Sequence, residues 1–192
     1  MNILVTGGTG YIGAHTSVEL INKGHRAILV DNLSNSHEST CHAIEKITGK
    51  SVDFYNIDLC DRQAVFNLLQ TIEIDAVIHF AAFKSVSESV ANPLRYYHNN
   101  IESLTNLLDA VVENNIKGFL FSSSCTVYGT PKSSPVHENT PLERAESPYG
   151  ATKQLGERIV ADVMNAHGVK GTSLRYFNPA GAHNSALIGE YP

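Results

Sequence analysis

Short apolar runs alternate with longer amphipathic segments along almost the whole chain. The short runs predict strands, which we place at Asn2–Thr6, Ala27–Val30, Val52–Tyr55, Ala76–Phe80, Gly118–Ser122 and Gly171–Arg175. Segments with apolar residues every three or four positions predict helices at Tyr11–Asn22, Glu38–Ile47, Arg62–Thr71, Pro93–Asn114 and Pro148–Ala166. This alternation predicts an α/β fold, a doubly wound parallel sheet with strand order 3-2-1-4-5-6. The longest stretch predicted to be irregular runs from Ser122 to Ser147.

A glycine-rich segment, Gly7-Gly8-Thr9-Gly10-Tyr11-Ile12-Gly13, joins the first predicted strand to the first predicted helix. Its spacing and its place between strand and helix favour a dinucleotide-binding (Rossmann) turn over a turn that holds no ligand. The second strand ends in Asp31, whose carboxylate would accept hydrogen bonds from both ribose hydroxyls and repel a 2′-phosphate. The sequence therefore predicts NAD, rather than NADP, as the cofactor.

Tyr149 and Lys153 are four residues apart at the start of the last predicted helix, so their side chains share one face. A nearby ammonium favours the phenolate form and makes a tyrosine a usable base. Tyr128 and Lys132 have the same spacing, but Gly129 and Pro131 lie between them and would break a helix there. Together with the predicted cofactor, the first pair predicts a dehydrogenation site.

Composition narrows the function further. The length suits one domain, no apolar run reaches membrane-spanning length, and no secretory signal is visible, which predicts a cytoplasmic protein. A net charge of −5 without a basic cluster argues against nucleic-acid and membrane partners. Three cysteines without a CxxC motif and nine histidines without a ligand motif predict neither a disulfide framework nor a metal site.

The motifs resemble those of the extended short-chain dehydrogenase/reductase superfamily and, more closely, of its UDP-glucose 4-epimerase family. The resemblance spans essentially the whole chain, and it is carried by Val5 to Gly13, Val30 to Ser36, His79 to Lys84, Tyr96 to Asn100, Phe121 to Gly129, Ser147 to Lys153 and Arg175 to His183. It implies NAD-dependent interconversion of UDP-glucose and UDP-galactose at C4 through a 4-keto sugar, a step of galactose metabolism.

The same resemblance implies a set of contacts. Tyr149 would be the base, Ser124 would hold the 4′-oxygen, and Lys153 would lower the pKa of Tyr149 and hold the nicotinamide ribose. The substrate would contact Lys84, Ser124, Tyr149 and Asn178. The cofactor would contact Gly7, Gly10, Tyr11, Ile12, Gly13, Asp31, Asn32, Asn35, Ser36, Asp58, Leu59, Phe80, Ala81, Lys84, Asn99, Ser122, Tyr149, Lys153 and Phe177.

Alternatives stay open at some of these positions. Asn35 and Ser36 could equally be loop caps, and Asn99 could serve to structure its turn. Related sugar-nucleotide dehydratases carry an Asp-Glu pair where this chain has Cys125-Thr126. Neither Cys125 nor Thr126 can protonate a leaving hydroxyl as a carboxylic acid does, which argues against elimination of water. A hexuronate epimerase or decarboxylase and a dinucleotide-binding module without turnover remain as other interpretations.

The resemblance also implies a departure in length, because the family continues into a substrate-binding domain. We expect residues 1–175 to form the NAD-binding domain and residues 176–192 to begin a truncated substrate-binding region, so that the chain is a fragment or a truncated product. The resemblance further implies a homodimer through the helices at 93–114 and 148–166, with a UDP-hexose as the substrate.

Overall fold

The computed structural model describes residues 1–190. Six parallel strands form one sheet in the order β3-β2-β1-β4-β5-β6, which confirms the predicted topology. The strands are β1 (Asn2–Thr6), β2 (Arg26–Asp31), β3 (Asp53–Asn56), β4 (Ala76–His79), β5 (Gly118–Ser124) and β6 (Lys170–Tyr176).

Within residues 1–190, seven α-helices connect or flank the strands. They are α1 (Tyr11–Asn22), α2 (Ser39–Thr48), α3 (Arg62–Thr71), α4 (Val86–Ala91), α5 (Pro93–Tyr97), α6 (Ser103–Glu113) and α7 (Pro148–His167). A π-helical turn at His98–Glu102 joins α5 to α6, and a 3₁₀ turn at Cys125–Tyr128 follows β5.

The sheet is buried on both faces. Along β2, Ile28 and Val30 join one hydrophobic cluster, whereas Ala27 and Leu29 join a second cluster. Successive side chains of a strand point to opposite faces, so the two clusters lie on opposite sides of the sheet. The first cluster includes residues of α3, α6 and α7, and the second includes residues of α1 and α2. This two-sided burial explains why the central strands read as continuous apolar runs.

Two predicted segments differ from the structure. The helix predicted over Pro93–Asn114 is interrupted by the π turn at His98–Glu102, because the apolar pattern does not reveal one added residue. The stretch predicted to be irregular from Ser122 contains the end of β5 and the 3₁₀ turn at Cys125–Tyr128. The short helix α4 was missed, since its six residues carry too little periodicity to be recognised.

His79, at the end of β4, is a histidine that the fold keeps neutral. It is 2% exposed, shares a hydrogen bond of 2.8 Å between its Nδ1 and Thr6 Oγ1, and stacks on Phe121 at 6.0 Å between ring centroids. Burial, and secondarily the charge of Lys153, lower the pKa of His79 to about 3. The unfolded chain binds this proton below about pH 6.5, whereas the folded chain does not bind it until about pH 3.

The chain should therefore lose stability as the pH falls below about 6.5, by up to roughly 1.4 kcal/mol per pH unit from this residue. His79→Asn should reduce the change in the free energy of unfolding per pH unit, even if the smaller side chain lowers that free energy at every pH. Urea unfolding between pH 5 and pH 7 measures the slope, with His98→Asn, at an exposed position, as the control. An unchanged slope in His79→Asn would contradict the assignment.

Among residues 1–190, no helix has both the length and the apolar character needed to cross a membrane.

Candidate active site

A cleft of about 480 Å³ opens at the carboxyl ends of the parallel strands. Every residue predicted to contact cofactor or substrate lines this cleft. Ligands of open α/β sheets bind at this edge, where the strand order reverses between β1 and β4. Other residues on the wall, for which the sequence predicted no ligand contact, are Thr9, Val30, Ser34, Ile57, Ala82, Phe83, Val86, Ser103, Ser123, Cys125, Thr126, Tyr176, Pro179 and Glu190.

The glycine-rich turn forms the floor of the cleft beside β1. Gly7 has a φ of +67°, and a Cβ atom on Gly13 would collide with the carbonyl oxygen of Gly7. Gly10 caps α1 without a side-chain hydrogen bond, so the first N–H groups of the helix have no side-chain cap. An uncapped helix N-terminus with a closely approaching backbone suits a pyrophosphate. The residues present therefore fit a dinucleotide.

Asp31 is held in place at the end of β2. Its Oδ2 accepts a hydrogen bond from the Thr9 backbone N–H at 3.3 Å, and its Oδ1 accepts from Leu33 N–H at 3.0 Å and from Ser36 Oγ at 2.9 Å. Leu33 adopts a φ of +58°, which turns the loop back toward the carboxylate. Ser36 therefore acts as a loop cap and also lines the cleft.

Asn32 and Asp58 connect the ends of the two neighbouring strands. Asn32 Nδ2 donates a hydrogen bond to Asp58 Oδ2 at 3.2 Å, and Asp58 Oδ1 accepts from the Cys60 N–H at 2.8 Å. Leu59 is 6% exposed and belongs to the main hydrophobic cluster. These contacts place a polar edge beside an apolar surface, which suits a flat aromatic base.

Helix α7 presents the predicted catalytic pair. Ser147 Oγ accepts a hydrogen bond from Gly150 N–H at 3.1 Å and caps the helix, and Pro148 occupies its first turn. A Cβ on Gly156 would collide with the ring of Phe121, so the helix lies directly against β5. Tyr149 and Lys153 face the cleft from this closely packed helix.

Lys153 is 5% exposed, and its Nζ donates a hydrogen bond to the carbonyl oxygen of Ser122 at 2.7 Å. The same Nζ lies 5.0 Å from the centroid of the Phe121 ring and 5.8 Å from that of Tyr149. Burial lowers the pKa of Lys153 to about 8, so the ammonium form still predominates at neutral pH.

In the protein alone the pKa of Tyr149 is raised rather than lowered, and its lowering by Lys153 in the loaded site stays a prediction. Burial raises the pKa of Tyr149 above its ordinary value, and a hydrogen bond with Ser124 acts in the opposite direction without overcoming it. The cation is near the ring, but desolvation of the phenolate dominates. Ser124 Oγ also accepts hydrogen bonds from the N–H and the hydroxyl of Thr126, at 3.2 and 3.0 Å.

The π turn supports the wall of the cleft that follows β4. Asn100, which is 6% exposed, accepts a hydrogen bond from Phe83 N–H at 2.8 Å and donates to Phe83 O at 3.0 Å and to Thr152 Oγ1 at 3.2 Å. Asn99 Nδ2 donates to the side-chain oxygen of Asn100 at 2.9 Å. Asn99 thus takes part in structuring the turn, as one interpretation of the sequence held, and it also lines the cleft.

The segment after β6 returns across the cleft to α1. The Tyr11 hydroxyl donates a hydrogen bond to Gly181 O at 2.7 Å, and Ile188, 5% exposed, packs into the second hydrophobic cluster. Lys84 Nζ, on the opposite wall, forms an ion pair with Glu190 at 2.7 Å. Phe177 is 60% exposed at the start of this segment, and Asn178 follows it along the wall.

Comparison with protein families gives a match over residues 3–189 to the NAD dependent epimerase/dehydratase family. The chain belongs to this family. The match covers the six strands except Asn2 at the start of β1, and the described wall of the cleft except Glu190.

The individual relatives that match the chain are more specifically UDP-glucose 4-epimerases. The chain is 51% identical over 193 residues to UDP-glucose 4-epimerase from Bacillus subtilis, and 48% identical over 197 residues to that from Drosophila melanogaster. It superimposes with a TM-score of 0.97 and 46% identity on UDP-glucose 4-epimerase from Bifidobacterium longum, a structure that contains NAD+ and UDP. These alignments cover 99 to 100% of this chain but only 56 to 57% of each relative. The chain thus spans a little over half the length of these relatives.

Proposed function

We propose that this chain is the NAD-binding and proton-transfer part of a UDP-hexose 4-epimerase. One observation carries the proposal: Tyr149, Lys153 and Ser124 lie in the same cleft as the glycine-rich turn and Asp31. A base, a hydroxyl and a dinucleotide-type turn in one cleft suit the oxidation of a secondary alcohol. The names of the relatives supply the substrate class, a UDP-linked hexose.

NAD, when bound, would supply a reversible hydride acceptor. Asp31 would accept hydrogen bonds from its adenosine ribose, and the N-terminus of α1 would meet its pyrophosphate. Asp58 and Leu59 would contact the adenine. Lys153 would hold the nicotinamide ribose, because its buried ammonium lies beside Tyr149 and Ser122.

Tyr149 Oη would take the proton of the sugar 4′-hydroxyl as the 4-keto sugar forms, and would return it when the alcohol is restored. Ser124 would hold the 4′-oxygen, since its hydroxyl lines the same cleft as Tyr149 and acts to lower the pKa of that residue. Deprotonating Tyr149 near neutrality requires that its raised pKa fall once the site is loaded. The charge of Lys153, together with the positive charge of the bound nicotinamide ring, would favour that fall, because both attract the phenolate.

We also propose a division of the chain in which residues 1–175 form the NAD-binding domain and residues 176–192 begin the substrate-binding region. Phe177 and Asn178 support this division, because both line the cleft beyond the last strand. Lys84 and Asn178 would contact the substrate. The last two residues of the second region lie outside the described part of the chain.

A second candidate function is dinucleotide binding without turnover. It is supported by the length, since the relatives extend well beyond the region that this chain matches. Remote substrate groups supply much of the energy that holds a reacting carbon in place. A chain with only part of those contacts could bind NAD and leave UDP-hexoses unchanged.

Two proteins separate these functions: the 192-residue chain, and a fusion of it to the part of the Bacillus subtilis relative that it does not cover. We expect both proteins to bind NAD in a calorimetric titration, the shorter one more weakly. We expect only the fusion to convert UDP-galactose into UDP-glucose in a coupled assay. A folded, NAD-binding fusion without turnover would favour the second function. Turnover of the shorter chain at about 1–10³ per second would show that it completes its own site.

We propose that α5 and α7, which belong to the helices predicted at 93–114 and 148–166, form a surface for a second copy of the chain together with α4. The three helices contact one another, and they expose Val90 at 62%, Leu94 at 69% and Leu155 at 43%. A patch of this kind can pair with its own copy about a two-fold axis. The cleft faces β1 and β4 and stays separate from these side chains.

Size-exclusion chromatography with light scattering should show a dimer. Leu155→Asp should shift the population toward monomer, because burying an unpaired carboxylate is unfavourable. Leu142→Asp is a matched control, since Leu142 has the same 43% exposure as Leu155 but lies outside the three helices. A monomeric parent protein at micromolar concentration would contradict the proposal.

A further inference from the structure

Glu157 and Arg175 form an ion pair between α7 and β6. Arg175 Nε donates to Glu157 Oε1 at 2.9 Å, and Arg175 Nη2 donates to Oε2 at 2.8 Å, a two-pronged contact. The side chains are 13% and 21% exposed, which makes this pair more buried than any other ion pair within residues 1–190. The contact fixes the distance between the last strand and the helix that carries Tyr149.

A third element joins this pair. Ser123 Oγ donates a hydrogen bond to Glu157 Oε1 at 2.5 Å. Ser123 is paired in register with Arg175 across β5 and β6, and it directly precedes Ser124. One carboxylate therefore ties α7 to both strands, one residue away from the hydroxyl proposed to hold the substrate.

Arg175 also reaches the other side of Ser124. Its Nη1 donates to the Tyr128 hydroxyl at 3.1 Å, and its guanidinium lies over the Tyr128 ring at 4.9 Å. Tyr128 ends the 3₁₀ turn that starts at Cys125, immediately after Ser124. Ser124 is thus bracketed by two residues, Ser123 and Tyr128, that contact the same ion pair.

Tyr149, Lys153 and Glu157 follow one another at four-residue intervals on one face of α7. We infer that Glu157 and Arg175 are positioning residues, which set the Tyr149 hydroxyl and Ser124 against each other for proton transfer. The inference rests on the proposed function, because it concerns the same proton-transfer pair. Neither residue is among those that line the cleft, so each acts through other residues rather than on a ligand.

A purely stabilising role is the competing explanation. A buried ion pair often adds little net stability, because desolvation of both charges offsets their attraction. Such pairs can instead select one geometry over others, and here the selected geometry joins the two strands and the helix that carry Ser124 and Tyr149. The two roles differ in one measurable quantity, the pKa of Tyr149, to which Ser124 contributes through its hydrogen bond.

The test uses the 192-residue chain labelled with ¹³Cζ-tyrosine, in which Tyr149→Phe identifies the resonance and its pH titration gives the pKa. Arg175→Lys keeps the charge but loses the two-pronged contact, and Glu157→Gln keeps the shape but loses the charge. If the residues position Ser124, both variants should raise the pKa of Tyr149 by about half a unit or more, roughly a threefold loss of phenolate at a given pH.

Two results would overturn the inference. A field effect acting through space would leave the pKa unchanged in Arg175→Lys and lower it in Glu157→Gln, because only the second variant removes a negative charge. A structural role alone would reduce stability to urea in both variants without moving the pKa. Arg158→Lys is the matched control, since Arg158 pairs with Asp162 on the exposed side of the same helix and should have no effect.

Ser123→Ala keeps the test decisive if either charge variant fails to fold. It deletes the hydroxyl that links Glu157 to β5 and leaves the ion pair in place. It should raise the pKa of Tyr149 in the same way, and an unchanged value would overturn the inference. All of these titrations are made without cofactor, so their outcome is independent of whether the chain binds NAD or supports turnover.

Discussion

Replacing Tyr149 by phenylalanine should reduce epimerisation of UDP-galactose by the fusion protein at least a hundredfold. The substitution deletes one hydroxyl from a partly buried ring, so the fold and the packing of α7 should survive. A lost general base typically costs about 10²–10⁴-fold in rate. The coupled assay measures the rate, and calorimetry should give an NAD affinity within a few-fold of the parent.

The matched control is Tyr55→Phe, because Tyr55 lies on β3 and does not line the cleft. It should leave the rate unchanged. Ser124→Ala should cost less than Tyr149→Phe, since water can partly replace a hydroxyl that only positions the substrate. Near-normal turnover of Tyr149→Phe would exclude Tyr149 as the base.

Replacing Asp31 by alanine should weaken NAD binding about 10- to 100-fold, the range expected for losing hydrogen bonds to a charged acceptor. The change also removes the repulsion of a 2′-phosphate, so the difference in affinity between NAD and NADP should become smaller. Calorimetric titration of the 192-residue chain with both dinucleotides measures this difference. Preference of the parent chain for NADP would refute the assignment of the cofactor.

Part of the expected loss could arise from the loop itself, because Asp31 also accepts hydrogen bonds from Thr9, Leu33 and Ser36. Asp31→Asn separates the two causes in part, since it keeps the side-chain shape and one acceptor oxygen but removes the charge. Asp53→Ala is the matched control on the neighbouring strand, where Asp53 pairs with Arg26 away from the cleft. It should leave both affinities unchanged.

Sequence reasoning succeeded where the signal is local. The glycine-rich turn, the strand that ends in Asp31 and the start of α7 at Pro148 each depend on a few adjacent residues, and the structure confirms all three. The location of the site was also predicted correctly, because the carboxyl ends of parallel strands lie at one edge of the sheet.

Features that depend on distant residues were not predicted. Glu190 belongs to no recognisable motif, so its ion pair with Lys84 was not predicted. It reaches Lys84 only because the segment after β6 folds back across the cleft. The raised pKa of Tyr149 reflects its burial, which spacing along a helix does not reveal. The link from Glu157 to Ser123 and Arg175 joins positions 34 and 18 residues apart, so only the assembled sheet brings them together.

The π turn at His98–Glu102 makes the segment between β4 and β5 sensitive to length. Each residue of a regular α-helix advances the side-chain direction by roughly 100°. Loss of one residue would convert the turn into ordinary helix and rotate Leu104 and Leu107, both fully buried, away from their present contacts. Substitutions at exposed positions of this helix can therefore accumulate during evolution, whereas a single-codon deletion would separate the cleft wall at Asn100 from the core that supports it.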